Sequence, residues 1–431
     1  MNQAALTVVV PIVGSELSSL HTLLASIEDQ VRERKIRALQ GALFPFADVG
    51  TIHFARFVVI DPPAERPDAS RLLVFSTNHD GSRARHLHDL VAVAGTALRR
   101  VFAHCDKQVE GADDARLRAF LDEHSLACDA FYVGHRRRSV SQIQLESYLH
   151  AELDRALGPA SGRLSSDPYA EALRCVSERD DLRWALSPPD PPRQSWLRKA
   201  PRLAALGVGA LVLLPVLAVW ALCIRVLERR EARKARRYSR EELLEAHDKL
   251  HEHKRTLIEA EDISVQNQMS AVTDVKPGWL RLVTLRAVLR LVDFLARNWW
   301  DRGALNGIPS IHFARWFLIE QGGRHRLVFF SNYDGSWENY LGQFIDEAAS
   351  GLTGIWSNTL GFPAARWLFF RGARREREFK TWVRSRQIRT QVWYSAYPDL
   401  SVQDVWNNSA IRRDLQGMRG LGRKREWLRR V

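Results

Sequence analysis

Apolar and polar positions along this chain change period in an order that occurs twice. Residues 6–12 form a β-branched run of strand length, and residues 15–37 carry apolar side chains at helical spacing. Two further strand-like runs, 51–61 and 71–80, precede a helical pattern over 85–102 and a last short strand, 128–133. The same order returns at 263–275, 279–300, 310–320, 325–334, 337–356 and 390–395. In the 279–300 helix Arg286, Arg290, Asp293 and Arg297 share one face, and Leu285, Val288, Leu289, Val292, Leu295 and Ala296 the other. Each copy therefore reads β-α-β-β-α-(α)-β with a closing helix.

Residue identities support a duplication. TIHFARFVVID (51–61) corresponds to SIHFARWFLIE (310–320), with IHFAR identical. RLLVFSTNHDGS (71–82) and HRLVFFSNYDGS (325–336) agree at seven of twelve positions. The element order predicts an α+β fold of two ferredoxin-like (split βαβ) modules, and it resembles the dimeric α/β-barrel type, in which two such sheets pack face to face. The paired IHFAR(W/F)…SNYDGSW pattern also resembles that of a bacterial family with duplicated modules, from which no activity transfers. The expected organisation is a first module over 1–185, a Pro-rich basic linker over 186–202, an apolar segment over 203–224, a charged helical connector over 225–262, and a second module with a basic tail over 263–431.

The apolar segment changes the picture. No charge interrupts the stretch between Arg202 and Arg225, which is long enough to cross a ~30 Å hydrocarbon core as a helix. It predicts a single membrane span or, because Pro215 lies near its middle, a hairpin that returns to the same side. The flank Arg225, Arg229, Arg230, Arg233 and Lys234 is richer in cations than the upstream one, which places it in the cytoplasm by the positive-inside rule. The expectation is an inner-membrane protein with its modules on the cytoplasmic side.

Charge is unevenly placed among the 431 residues, whose formal net is +13. Residues 1–200 hold 25 basic and 26 acidic side chains, which leaves 38 and 24 for residues 201–431, a net of +14. Basic clusters at 371–380 and 412–430, with Trp299, Trp300, Trp356 and Trp427, suit anionic lipid headgroups better than nucleic acid. Four scattered cysteines exclude a disulfide framework and a zinc ribbon. There is no phosphate loop, dinucleotide fingerprint, nucleophile elbow or HExxH.

Candidate ligand-binding residues are those retained in both copies: His53, Arg56, Asn78 and Asp80, with His312, Arg315, Asn332 and Asp334. Strand alternation puts the histidines and arginines on opposite faces, which argues against a His–Arg pair. The arginines are expected to anchor Asp80 and Asp334. Asn-x-Asp-Gly-Ser has the composition of a turn with a serine N-cap. It also resembles the Gly-x-x-Asp-Gly motif of dye-decolourising peroxidases. That resemblance implies haem, with an aspartate and an arginine acting on peroxide and a histidine on the iron. Thr77 and Ser331 stand where the motif has its first glycine. His247, His251 and His253 lack the cysteine or paired carboxylate of a metal site. The leading expectation is a membrane-anchored module pair, either an intramolecular pseudo-dimer or a homo-oligomer, that binds a small ligand or a partner. A haem-dependent or other oxidoreductase and a nucleic-acid or protein scaffold are the alternatives.

Overall fold

The computed structural model describes residues 3–157, 167–187, 201, 214–235, 252–259, 261–300, 304–415 and 427–431. In the first copy β1 (Gln3–Pro11), α1 (Leu17–Arg32), β2 (Ile52–Ile60), β3 (Leu72–Asp80), α2 (Arg83–Phe102), α3 (Asp114–Glu123), β4 (Ala130–Val133) and α4 (Val140–Leu157) follow in order. Then come α5 (Pro168–Glu178) and α6 (Leu214–Ala235). The second copy runs β5 (Gln266–Asp274), α7 (Trp279–Asn298), β6 (Ile311–Gln321), β7 (Arg324–Asp334), α8 (Trp337–Trp356), a two-residue ribbon of β8 (Ala365–Arg366) and β9 (Phe370–Arg371), α9 (Glu376–Arg386), β10 (Gln387–Ile388), β11 (Val392–Ser395) and α10 (Val402–Leu415). The fold is α+β with antiparallel sheets.

The two copies exchange their last strands. One sheet has the order β1-β3-β2-β11 and the other β10-β5-β7-β6-β4. Ala130 thus faces Trp316 and Val133 faces Phe313, while Val392 faces Phe57 and Ser395 faces Phe54. Gly134 sits where β4 leaves β6, and a Cβ there would lie 2.0 Å from the Ile311 carbonyl oxygen. The β6–β7 hairpin closes on Gly322 and Gly323, both at positive φ, as a tight two-residue turn requires.

Alternation along each strand divides the core. Ala55, Phe57 and Phe75 pack under α1 and α2, while Leu285, Leu289, Trp316 and Phe329 pack with the helices of the second copy. Between the sheets, Val58, Ile60 and Val74 meet Val272, Phe317, Val328 and Phe330. Each such fully buried side chain stabilises by about 1.5–3 kcal/mol. A separate outer cluster joins α4 and α5 to α10 and Trp427, which is buried.

Among the described residues, no helix is long and apolar enough to cross a membrane. This overturns the membrane span, the hairpin and the membrane location expected from the 203–224 stretch, whose residues 203–213 lie outside the described ones. The described part of that stretch opens α6, which becomes charged from Arg225 onward and docks on the second copy. Ile224 is buried in its core, and the Trp220 indole donates to Thr284 Oγ1 at 3.0 Å. Glu228 accepts from the Trp367 and Leu368 amides at 2.9 and 2.8 Å, and Glu231 takes a forked bond from Arg281 at 2.8 and 2.9 Å and another from Lys276 at 2.8 Å. Of the cations expected at a lipid surface, Arg225 instead pairs with Glu228 and lies over the Trp367 ring; Arg229, Arg230 and Arg233 are exposed on α6, which also carries Lys234. The basic clusters are partly neutralised in place, with Lys380 held by Glu338 and Glu376 and Arg412 by Glu146.

Candidate functional site

The DGS turn forms as its composition predicts. Gly81 and Gly335 take positive φ, and Ser82 and Ser336 accept from the amides of Arg85 and Asn339. The aspartates do something local composition does not reveal. Asp80 Oδ1 accepts from His53 Nε2 at 3.0 Å and Oδ2 from the Val140 amide at 2.8 Å, the first residue of α4. Asp334 repeats this with His312 Nε2 at 2.7 Å and the Val402 amide at 2.8 Å, at the start of α10. Each carboxylate thus ties its own sheet to the N-terminus of a helix, where negative charge is favoured.

A β-bulge at His53, and another at His312, overturns the strict alternation expected of these strands. Two residues on the bulged strand oppose one on its neighbour, so the histidine rotates inward. His53 therefore lies on the same side as Arg56. Its ring is 5.5 Å from His135, 5.2 Å from Phe313 and 5.8 Å from Tyr397, and its Nδ1 lies 2.8 Å from Tyr397 Oη. Tyr397 Oη also meets His135 Nε2 at 3.1 Å. His135 and Tyr397 occupy corresponding places, five residues before Val140 and Val402. Gln3 and Gln266 correspond too: Gln3 Nε2 donates to the carbonyls of His135 and Arg138, and Gln266 Nε2 to those of Tyr397 and Leu400. Sequence comparison passes over His135 and Tyr397 because they differ in identity, and equal spacing to the next helix is the available signal; Gln3 and Gln266 lie outside the two matched segments.

Neither arginine meets an aspartate, contrary to expectation. Arg56 crosses to the other sheet and donates to the carbonyls of Met269 and Ser331, to Ser270 Oγ at 3.0 Å and to Asn332 Oδ1. Arg315 crosses the other way, to the carbonyls of Leu6 and Thr77 and to Thr7 Oγ1. Both guanidiniums are buried without a carboxylate. Desolvation first, and then the neighbouring Arg315 charge, pushes Arg56 down to about 9. Asn332 Nδ2 donates to Asn78 Oδ1 at 3.4 Å, and Asn78 Nδ2 has no acceptor.

All eight predicted residues therefore gather at the packed sheets, seven of them buried and Asp334 partly exposed at a strand end. They do not suit haem. Both ring nitrogens of His53 are engaged, and His312 is packed by the rings of Phe54, His135 and Tyr397 with its Nε2 on Asp334. Among the described residues no three metal-ligating side chains converge; His247 and His251 lie outside them, and His253 Nε2 donates to the Gln387 carbonyl.

An open site lies beside this closed one. A cleft of about 370 Å³ runs between α1 and the edges of β5 and β11, lined by Glu28, Arg32, Gln268, Thr390, Trp393 and Ala396 among others. Glu28 fixes its mouth by accepting from the exchanged strand at the Trp393 amide, 2.9 Å, and from Arg32 Nε, 2.9 Å. Burial raises the Glu28 carboxyl above its ordinary range, against those two bonds. On the opposite seam Asp293 and Arg297 repeat the arrangement at the Phe131 amide. No family model, no curated protein and no solved structure matches this chain.

Proposed function

We propose that the chain is a fused pair of ferredoxin-like modules of the dimeric α/β-barrel type, an intramolecular pseudo-dimer, that binds a small ligand in the α1–β5–β11 cleft. The barrel reading is supported by the two antiparallel sheets, one of four strands and one of five, each carrying the other copy's last strand at an edge. The binding reading rests on one observation: the cleft has ligand-sized volume and a lining that mixes apolar and aromatic side chains with amides, hydroxyls and the paired Glu28 and Arg32. In this reading the buried His–Asp and arginine networks hold the two modules in register, and the cleft, which needs walls from both, does the binding. Ser264 sits half-buried at the cleft rim. A fragment set of small amides, aromatic acids and amino acids, screened by ligand-observed NMR, tests the reading. Hits are expected on the natural chain and are lost in Ser264→Trp, which fills the rim. Hits that survive in Ser264→Trp place binding elsewhere and refute it.

A further inference from the structure

The cleft presents hydrogen-bond donors because a buried charge orients its floor. Arg56 has only N–H groups to offer, so Ser270 Oγ must accept from it. The Ser270 hydroxyl hydrogen is then free to go to Thr390 Oγ1, 2.8 Å away. Thr390 in turn donates to Gln268 Oε1 at 2.6 Å. Every bond in this relay points outward from the guanidinium, and each polarises the next. In this relay the amide of Gln268 stands with its oxygen inward and its NH2 toward the cleft. Gln268 is only 7% exposed, and among the described residues no acceptor meets its Nε2.

The charge behind this donor is not neutralised by the protein. Neither Arg56 nor Arg315 has a carboxylate partner, whereas the wall cations Arg32 and Arg34 are ion-paired with Glu28 and Asp399. Trp393, with Phe54 stacked on it at 6.2 Å and its indole N–H committed to Asn332, offers an aromatic surface to the same cleft. We propose that the ligand is a small aromatic carboxylate, received by Gln268 Nε2 through a carboxylate oxygen and by Trp393 through its ring. This rests on the cleft-binding reading above and specifies the chemistry of that site.

A matched pair of probes, indole-3-acetate and indole-3-acetamide, separates charge from shape. Calorimetric titration of the full chain is expected to show the acid binding about tenfold more tightly than the amide, the effect of one charge-assisted bond. In Gln268→Glu both side-chain oxygens are acceptors, Thr390 can still donate to one of them, and the preference should invert toward the amide. In Thr390→Val the relay is cut, Gln268 can turn over, and the preference should shrink toward unity; this variant carries the test if Gln268→Glu does not fold. Equal or tighter binding of the amide to the natural chain overturns the carboxylate inference and leaves the cleft reading standing. An unchanged preference in the folded variants overturns it as well. Failure of both probes to bind the natural chain overturns the aromatic-carboxylate inference, while the fragment screen with Ser264→Trp decides the cleft reading.

Discussion

Replacing Asp80 by asparagine puts a donor into a network that has room only for an acceptor. Gln3 Nε2 gives its two hydrogens to the carbonyls of His135 and Arg138, so its 3.4 Å contact with His135 Nδ1 does not set the ring; in the network's proton order His135 Nε2 donates to Tyr397 Oη. Tyr397 then donates to His53 Nδ1, and His53 Nε2–H donates to Asp80. Asparagine can accept from the Val140 amide only by turning its NH2 toward His53. The ring must then change tautomer, and the mismatch passes through Tyr397 to His135. One buried donor is orphaned wherever the chain adjusts, at about 1–3 kcal/mol. Asp334 has the same first partners, yet His312 Nδ1 has no hydrogen-bond partner, so His312 can change tautomer without disturbing anything beyond it. Asp334→Asn should therefore cost about 1 kcal/mol or less, and Asp80→Asn more by roughly one orphaned donor. Urea denaturation of both variants, followed by near-UV circular dichroism, reads the difference. Equal losses, or a larger loss for Asp334→Asn, would refute the proton wiring.

Three further outcomes follow from named contacts. Burial, the largest cause in each case, holds His135 and His86 far below the ordinary histidine range and His79 at about 4. The unfolded chain binds these protons first, so stability is present above pH ~6.5 and is lost as pH falls toward the depressed values, by about 1.4 kcal/mol per pH unit for each histidine. A urea midpoint that stays flat between pH 7 and 5 would contradict this. Glu231→Ala strands the buried Arg281 and the half-buried Lys276, and should cost about 3 kcal/mol and expose Trp220 to quenchers; unchanged quenching would show that α6 does not depend on this contact. Gly134→Ala drives a methyl into the Ile311 carbonyl, so it should lose several kcal/mol, whereas Gly14→Ala, with nothing within 4 Å, should change stability by less than about 1 kcal/mol. Comparable stabilities for these two variants would sink the placement of β4 against β6.

Much of the frame is legible in the sequence because repetition and period carry it. IHFAR and the DGS turn mark the duplicate strands and the helix starts, and the apolar face read from α7 includes Leu285, Val288, Leu289 and Ala296, which are buried. What alternation cannot register is a one-residue bulge, so His53 and His312 are assigned the wrong face. Strand exchange is also invisible, because β4 carries the same residues whichever sheet it joins. The arginine partners escape because carbonyls and hydroxyls of the opposite sheet leave no charge signature. The apolar run before Arg225 misleads for a related reason: composition reports hydrophobicity, and it does not report that Glu228 and Glu231 dock the rest of that helix on protein.

The most direct test of the account is to locate a bound acid on the protein. With 5-fluorotryptophan incorporated and resonances assigned by single Trp→Phe changes, indole-3-acetate should shift the Trp393 fluorine signal saturably. Trp279, beside the separate apolar groove along α6, should stay fixed. A saturable shift at Trp279 with Trp393 unmoved would contradict the assignment of the cleft.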